Sequence, residues 1–471
     1  MNFTSIIYLP FLVITLILFY ALEGHTRARY WLLLIASYIF YAWWDVKFLS
    51  LIIIISLTNY LAGKWIHELD DRLRQRWVLI MSLVISLGIL GYFKYCKFFV
   101  DTFISFMAQF GLHISTPILT IVLPVGISFY TFQAMSYTID IYRGVMKPTD
   151  SALKFFTYVA FFPQLVAGPI VRARDLLPQI DSIEGNTLHE EGVFRIMYGL
   201  CKKLLLADVL ARLIVDPAFA DPMRYRGLPM LLGIYGYTFQ IFLDFSAYTD
   251  IAIGSAQLFG FRLPENFKSP YLSADPREFW SRWHITLSTW LRDYLYISLG
   301  GNRKGKRRTY VNILITFFLG GLWHGAGMNF VIWGMLHGIY AVVYRFEAVS
   351  TFLKKIPRKI KVLFFFHLCA FAWIFFRSSS MEQVSMVLSS LTSLGYYLSP
   401  AHHVLVLKVL VVLGISLALH NVTEPRIEKL SIVYSCLPAV ARGAVLYGFS
   451  LLLYYASELS YLHSTFIYFR F

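Results

Sequence analysis

The sequence predicts an all-α polytopic integral membrane protein. Of its 471 residues 58% are hydrophobic, and a soluble chain of this length would instead split into a few domains with polar surfaces. The apolar residues gather into runs of about 15–22, long enough to cross or nearly cross a bilayer as helices. The basic residues lie in short clusters between those runs: TRAR at 26–29, KWIHELDDRLRQR at 64–76, NRKGKRR at 302–308 and KKIPRKIK at 354–361. That is the distribution the positive-inside rule describes for cytoplasmic loops.

The candidate spans, in chain order, are 4–22, 30–44, 46–63, 77–95, 115–133, 152–171, 193–215, 228–258, 309–323, 328–346, 361–377, 403–420 and 439–458. Several are short or broken by glycine, so the expectation is about 11–13 membrane helices. The first run has no basic segment before it, and FYALE at 19–23 is a poor cleavage site. It reads as a retained helix rather than a removed signal peptide. Residues 260–308 are too polar to span and too aromatic for a solvated loop. Trp280, Trp283, Trp290, Tyr294 and Tyr296 predict short amphipathic helices there, interfacial or re-entrant. With the first two basic clusters on the cytoplasmic side, and the last two likewise, both chain ends fall outside. No repeat of fixed period and no low-complexity linker divides the chain, which reads as one transmembrane domain over residues 1–471.

Lysine and arginine number 42 against 27 aspartate and glutamate, a net charge of +15. The positions of the clusters between spans assign this excess to topology rather than to nucleic-acid binding. The four cysteines, at 96, 201, 369 and 436, form no CxxC and have no metal-ligand spacing with histidine. They read as small apolar fillers, and no metal or bound cofactor is expected. Aromatic residues make up 18% and suit membrane interfaces and cavity walls.

Ionisable groups inside a membrane protein are costly and default to functional hypotheses. In GGLWHGAGMNFVIWG (320–334), His324 has no Asp, Glu, Lys or Arg within ten residues. It is a general-base candidate near neutral pH, or a core imidazole bonded to a carbonyl. Gly320, Gly321, Gly325 and Gly327 allow close approach of backbone or substrate, or a helix break. In FWSRWHITLSTWLRDYLY (279–296), on a continuous helix His284 and Ser288 would share a face, as would Arg292 and Tyr296. That segment is either a second functional imidazole beside Trp283 or an interface-anchoring helix. In YTFQIFLDFSAYTDIAIG (237–254), Asp244 and Asp250 are roughly 120° apart on a helix. They call for buried partners, for which Arg282, Arg292 or a histidine N–H are candidates. FFPQLVAGPIVRARDLLPQ (161–179) is broken by Pro163, Gly168 and Pro169. Arg172 and Arg174 follow, able to hold phosphate or carboxylate, or to anchor the chain. Asp244, Arg172, Arg174, Trp283, Arg292 and Asn329 are the candidate substrate- or donor-binding residues. His337, His367 and His420 are assigned to structure. No GxSxG, P-loop or HExxH is present.

These segments together, LPVGISFYTFQAMSYTIDIYRG (123–144), FFPQLVAGPIVR (161–172), FLDFSAYTDIAIG (242–254), GFRLPENFKSPY (260–271), FWSRWHITLSTWLRDYLYISLGGNR (279–303) and GGLWHGAGMNFVIWG, resemble the membrane-bound O-acyltransferase (MBOAT) family. The likeness is greatest to its bacterial branch of alginate O-acetylases, peptidoglycan O-acetyltransferase membrane components and teichoic-acid D-alanyl transfer proteins. SYIFYAWWDVKF (37–48), GYFKYCKFF (91–99), WIFFRS (373–378) and the FIYFRF end extend it over essentially the whole chain. Two positions depart from the branch: Ala247 stands where FSGYSD has glycine, and Arg470 where FIYFQF has glutamine.

The resemblance implies a ring of helices around a thin waist, with a funnel from each side. It implies that His324 is the catalytic histidine and His284 the second important one. It also implies an acetyl group moved from a cytoplasmic donor, acetyl-CoA, across the bacterial inner membrane for O-acetylation of an extracytoplasmic polysaccharide. Alginate is the first candidate acceptor and peptidoglycan the second. Since no esterase-type serine motif is present, a periplasmic esterase-like partner would complete transfer to the polysaccharide. The remaining expected contacts are membrane lipid and no nucleic acid. A polymer or ion transporter is the alternative of another class, and the near absence of acids and bases over 309–346 argues against it. A long-chain acyltransferase acting on lipid or protein is the other.

Overall fold

The computed structural model describes residues 1–112, 121–185, 187, 189–393, 403–422 and 424–458. Among them every regular element is helical, as the all-α expectation requires. The FIYFRF end, His402 and the start of the predicted 115–133 span lie outside the described residues. The chain forms two compact units, one of residues 1–190 and 255–264 and the other of 191–254 and 265–471.

The first unit contains α1 (Tyr8–Ala21), α2 (Thr26–Ala42), α3 (Leu49–Glu68), α4 (Arg72–Ala108), α5 (Ile127–Tyr142), α6 (Ala152–Ala160) and α7 (Ala173–Asp181). Asp71 starts α4 by accepting a hydrogen bond from the Leu73 N–H at 2.9 Å, the usual N-cap. This helix runs 37 residues, well past the predicted end at 95, because neither proline nor glycine interrupts the chain between Tyr92 and Phe110. The predicted 152–171 span is broken as its prolines and glycines indicate, after Ala160 and again after Leu165. The irregular backbone there is satisfied within the protein. Tyr158 donates to the carbonyls of Gln133 and Val171 at 3.1 and 3.0 Å, and the Phe162 N–H donates to Ser37 Oγ at 3.0 Å. Such satisfaction is the condition for breaking a helix at membrane depth. Arg29, from the TRAR cluster, is buried rather than solvated. It donates to the carbonyls of Phe19 and Ile183, both at 3.0 Å, and lies over the Phe19 ring.

The second unit opens with α8 (Glu191–Leu200), which continues to Ala220 through two π-helical stretches, Cys201–Ala207 and Ala211–Val215. It then has α9 (Leu228–Leu258), whose last four residues count with the first unit. The polar stretch folds into two short helices, α10 (Pro276–Trp280) and α11 (Ile285–Trp290). After these come α12 (Gly305–His324), α13 (Met328–Val343), α14 (Glu347–Lys354), α15 (Arg358–Arg377), α16 (Met381–Leu391), α17 (His403–His420), α18 (Glu424–Ser435) and α19 (Ala439–Glu458).

By length and composition α3, α4, α9, α15 and α17 are able to cross a membrane, and a sixth span results if the bent pair α18 and α19 counts as one. The larger number of apolar runs in the sequence reflects segments realised as shorter, broken or charge-bearing helices, such as α1, α6 and the Lys306-Arg307-Arg308 start of α12. Within α9 the apolar stretch is 83% buried, against 17% in α4 and in α17. The latter two expose side chains such as Val84, Leu87, Leu407 and Val411. Water would not tolerate that much continuous apolar surface, but lipid covers it. This is a multi-pass membrane protein with α9 as an interior helix.

Candidate active site

His324 is the last residue of α12, and the chain turns before α13 starts at Met328. The glycines flanking the turn account for the packing there. A Cβ on Gly321 would lie 2.4 Å from the Phe330 carbonyl oxygen, and one on Gly334 would lie 2.3 Å from that of Phe317. So α12 and α13 touch backbone to backbone, as small residues permit. At Gly325 the Phe330 ring fills the place a side chain would need, 2.2 Å from a Cβ. Of the uses that the sequence left open for these glycines, close backbone approach and a helix break are the ones observed. Replacing Gly321 with valine should cost about 3 kcal/mol by overpacking. Gly320→Ala, whose Cβ would meet only Leu291 Cδ1 at 3.5 Å, should be neutral or stabilise by up to about 1 kcal/mol through helix propensity. Thermal unfolding in detergent separates the two, and equal midpoints would contradict the close-approach account.

The His324 ring is buried among aromatic edges. Its centroid lies 4.9 Å from Trp323, 4.8 Å from Trp333 and 5.2 Å from Phe376. His284 is fully buried and lies 5.9 Å from the same Trp323 ring. Trp323 therefore contacts both imidazoles, and residues 40 positions apart in the chain share one aromatic wall.

His284 does not lie within a continuous helix. It is the residue before α11, with φ of 41°, a left-handed conformation that costs a non-glycine residue about 1–3 kcal/mol. Asn266 holds it there. The Asn266 backbone carbonyl accepts from the Ile285 N–H at 3.0 Å, and its side-chain Oδ1 accepts from the Thr286 N–H and hydroxyl at 3.1 and 2.9 Å. The same oxygen lies 3.2 Å from His284 Nδ1. A carboxamide oxygen only accepts, so Nδ1 carries the proton of the neutral ring and Nε2 the lone pair. Phe245 of α9 packs edge-on against this ring at 4.7 Å. Ser288 does not share a helix face with His284. Its N–H caps the His284 carbonyl at 2.9 Å and its hydroxyl donates to the Trp283 carbonyl at 3.1 Å.

Trp283 belongs to the core, stacked on Phe279 at 5.7 Å and against Trp373 at 5.0 Å. Asn329 donates from its amide nitrogen to the carbonyls of Phe375 and Ser378, at 3.3 and 2.7 Å, closing the end of α15. Arg292 pairs with its own neighbour, Asp293, at 2.6 Å. Arg172 and Arg174 lie in the first unit. Arg172 is buried ahead of α7, and Arg174 is half-exposed, 3.9 Å from Asp175. The structural assignment of two other histidines has a direct basis. His420 Nε2 accepts from the Tyr271 N–H at 3.1 Å, and His367 lies 2.9 Å from the Tyr235 hydroxyl.

The carboxylates of α9 do not pair with Arg282 or Arg292. Asp244 pairs with Lys203 at 2.6 Å, and Lys203 also with Asp208 at 2.8 Å. Asp250 pairs with Lys202 and with Arg195, the latter at 2.6 Å, and Arg195 also takes Glu265 at 2.7 Å. All these partners but Glu265 come from the 191–208 stretch, which the sequence presents as part of an apolar span. The signal there was CKKLLLAD (201–208), two adjacent lysines inside a hydrophobic run. Arg282 instead joins Arg358 on Glu278, at 2.8 and 2.6 Å. Burial pushes the Glu278 carboxyl up, but the Arg358 hydrogen bond, the Ala274 N–H and Arg282 hold it below the usual range. Ala247 causes no packing conflict. The small residue at that contact is Gly199, where a Cβ would come 2.7 Å from the Ala247 carbonyl oxygen.

The arrangement offers two buried imidazoles on one tryptophan, one of them fixed in tautomer by a carboxamide. That suits proton transfer to and from a hydroxyl rather than metal or phosphate binding. Comparison with known proteins agrees in class. Residues 147–381 match the model of the MBOAT, membrane-bound O-acyltransferase, family. The chain is 45% identical over 401 residues to the Pseudomonas putida protein named probable alginate O-acetylase AlgI, covering 84% of this chain and 81% of that one. It is 43% identical over 400 residues to the Pseudomonas aeruginosa protein of the same name, covering 84% and 75%. To the Helicobacter pylori peptidoglycan O-acetyltransferase it is 34% identical over 426 residues, covering 83% and 80%.

Proposed function

Because the chain belongs to the membrane-bound O-acyltransferase family, we propose that this membrane O-acetyltransferase passes acetyl from cytoplasmic acetyl-CoA across the bacterial inner membrane, for O-acetylation of an extracytoplasmic polysaccharide of the alginate type. The observation that carries this reading is the 45% identity to an alginate O-acetylase over 84% of the chain, with His284 and His324 meeting on Trp323 inside it. Peptidoglycan is the second acceptor, supported by the 34% identical relative.

His324 acts as general base. It accepts the proton of the attacking hydroxyl as that oxygen bonds to the thioester carbonyl carbon; the C–S bond then breaks and the thiolate takes up a proton. The imidazolium formed in between sits at the carbonyl end of α12, where a cation is favoured by about 0.3–1 kcal/mol. His284, with Nε2 as its basic nitrogen, positions or relays the proton. Only a two-carbon acyl group needs to cross, so the charged donor stays on its own side. A periplasmic esterase-like partner carries out the final transfer to sugar. Arg172, Arg174 and the basic turn at 302–308 are the proposed donor contacts, cations suited to the donor's phosphates.

Purified protein in proteoliposomes, offered a length series of labelled acyl-CoAs, should turn over acetyl in preference to palmitoyl. In cells, deletion should remove acetate from the polymer while leaving its export intact. Preference for palmitoyl, or loss of export, would overturn the assignment.

A further inference from the structure

The cytoplasm-type basic cluster around 354–361 does more than mark topology, because part of it lines a cavity. Within the second unit, α10, α13, α14 and α15 surround a pocket of about 330 Å³ lined by Arg277, Arg345, Lys354 and Lys361, with Asp275 as its only acid. Asp275 is already occupied as the cap of α10, accepting the Glu278 N–H at 2.8 Å. No carboxylate among the described residues pairs with any of the four cations, in contrast to Arg282 and Arg358 next door, which share Glu278. The wall also carries the Tyr344 hydroxyl, whose oxygen is buried and has no hydrogen-bond partner among the described residues. Uncompensated cations converging with a hydroxyl donor are the chemistry that holds a phosphate ester.

The surroundings say which kind. Phe346 and Phe352 beside the pocket are 44% and 63% exposed, and Ile360, Leu363 and Phe364 on α15 are 56%, 60% and 55% exposed. A soluble phosphate would leave that apolar rim bare, whereas an amphiphile would cover it with its chains. We propose that this pocket is a binding site for an acidic phospholipid, with the phosphodiester headgroup on the four cations and the acyl chains along Phe352 and α15. The site is independent of the acetyl-transfer reading. It bridges the end of α13 and the start of α15, the two helices whose Trp333 and Phe376 pack on His324.

The test uses the full-length protein exchanged into phosphatidylcholine vesicles containing about one part in five phosphatidylglycerol, then extracted for native mass spectrometry. Wild type should retain phosphatidylglycerol in preference to phosphatidylcholine. Each of Arg345→Gln, Lys354→Gln and Lys361→Gln should weaken that retention about fivefold, from the usual contribution of one basic residue to anionic lipid binding. Lys354→Arg should keep it. These side chains are exposed or half-exposed, and unfolding midpoints would show that the variants fold. Equal retention of the two lipids, or retention unchanged in the triple glutamine variant, would overturn the proposal. So would displacement of phosphatidylglycerol by free glycerol phosphate or coenzyme A at micromolar concentration, which would make the site one for a soluble phosphate.

Discussion

His324→Ala should reduce polymer acetylation below detection while the protein still inserts at normal abundance. A positioned general base contributes about 10²–10⁴ to rate, and the neighbourhood of His324 offers no substitute on its own element: α12 and the turn after it carry no other ionisable group from Leu314 to Trp333. Alanine leaves a cavity among Trp323, Trp333 and Phe376, so lost activity alone would be ambiguous. His324→Gln and His324→Phe fill the space and remove only the basic nitrogen. All three should be equally inactive, with alanine alone lowering the unfolding midpoint. Acetate at the wild-type level in the glutamine variant would remove His324 from the chemistry. Asn266→Leu offers a graded companion. It deletes the oxygen that holds His284 Nδ1 and the Thr286 N–H, and misplacement on the scale of 1 Å costs about a hundredfold. If His284 serves the reaction, kcat should fall with KM little changed. An unchanged kcat would reduce His284 to a buried structural imidazole.

Much of the helical framework is legible in the sequence, and the reasons are local. The 228–258 and 403–420 runs are predominantly apolar and end where the structure ends them, and the break after His324 follows from Gly325 and Gly327. Failures occur where a partner is distant in sequence. Asp244 and Asp250 visibly needed cations, but Arg282 turned out to have Glu278 four residues before it and Arg292 had Asp293 beside it. The real partners, Lys202 and Lys203, are hidden in an otherwise hydrophobic run, where a window average cancels two charges. The junction of the two histidines is invisible for another reason. It depends on a left-handed residue at His284 and on Trp323 facing both rings, and neither backbone handedness at a non-glycine residue nor ring orientation has a pattern in the sequence.

Asp250→Asn should cost about 3–5 kcal/mol of stability, because it strands a buried ammonium. Lys202 has Asp250 and the Ser246 hydroxyl, the latter at 2.8 Å, as partners, and its side chain is 5% exposed. Arg195 would suffer less, since Glu265 still takes its Nη2 at 2.7 Å. The penalty therefore falls on Lys202, and removing that lysine as well should give part of it back. The double variant Lys202→Met/Asp250→Asn should be more stable than Asp250→Asn alone, with a coupling of about 1–3 kcal/mol. Asp293→Asn leaves a partner, Arg292, whose side chain is 60% exposed and stays solvated, so it should change stability by less than about 1 kcal/mol. Unfolding midpoints in one detergent of wild type, Lys202→Met, Asp250→Asn and the double variant complete the cycle, and strict additivity would show that Lys202 finds another anion. The same set separates anchoring from chemistry. Asp250 ties α9 to the 195–202 stretch, and α9 brings Phe245 onto His284. The double variant should therefore recover activity along with fold, to within about threefold of wild type per folded molecule. Recovery of the midpoint with activity still lost would mean that the carboxylate or the ammonium takes part in the transfer itself.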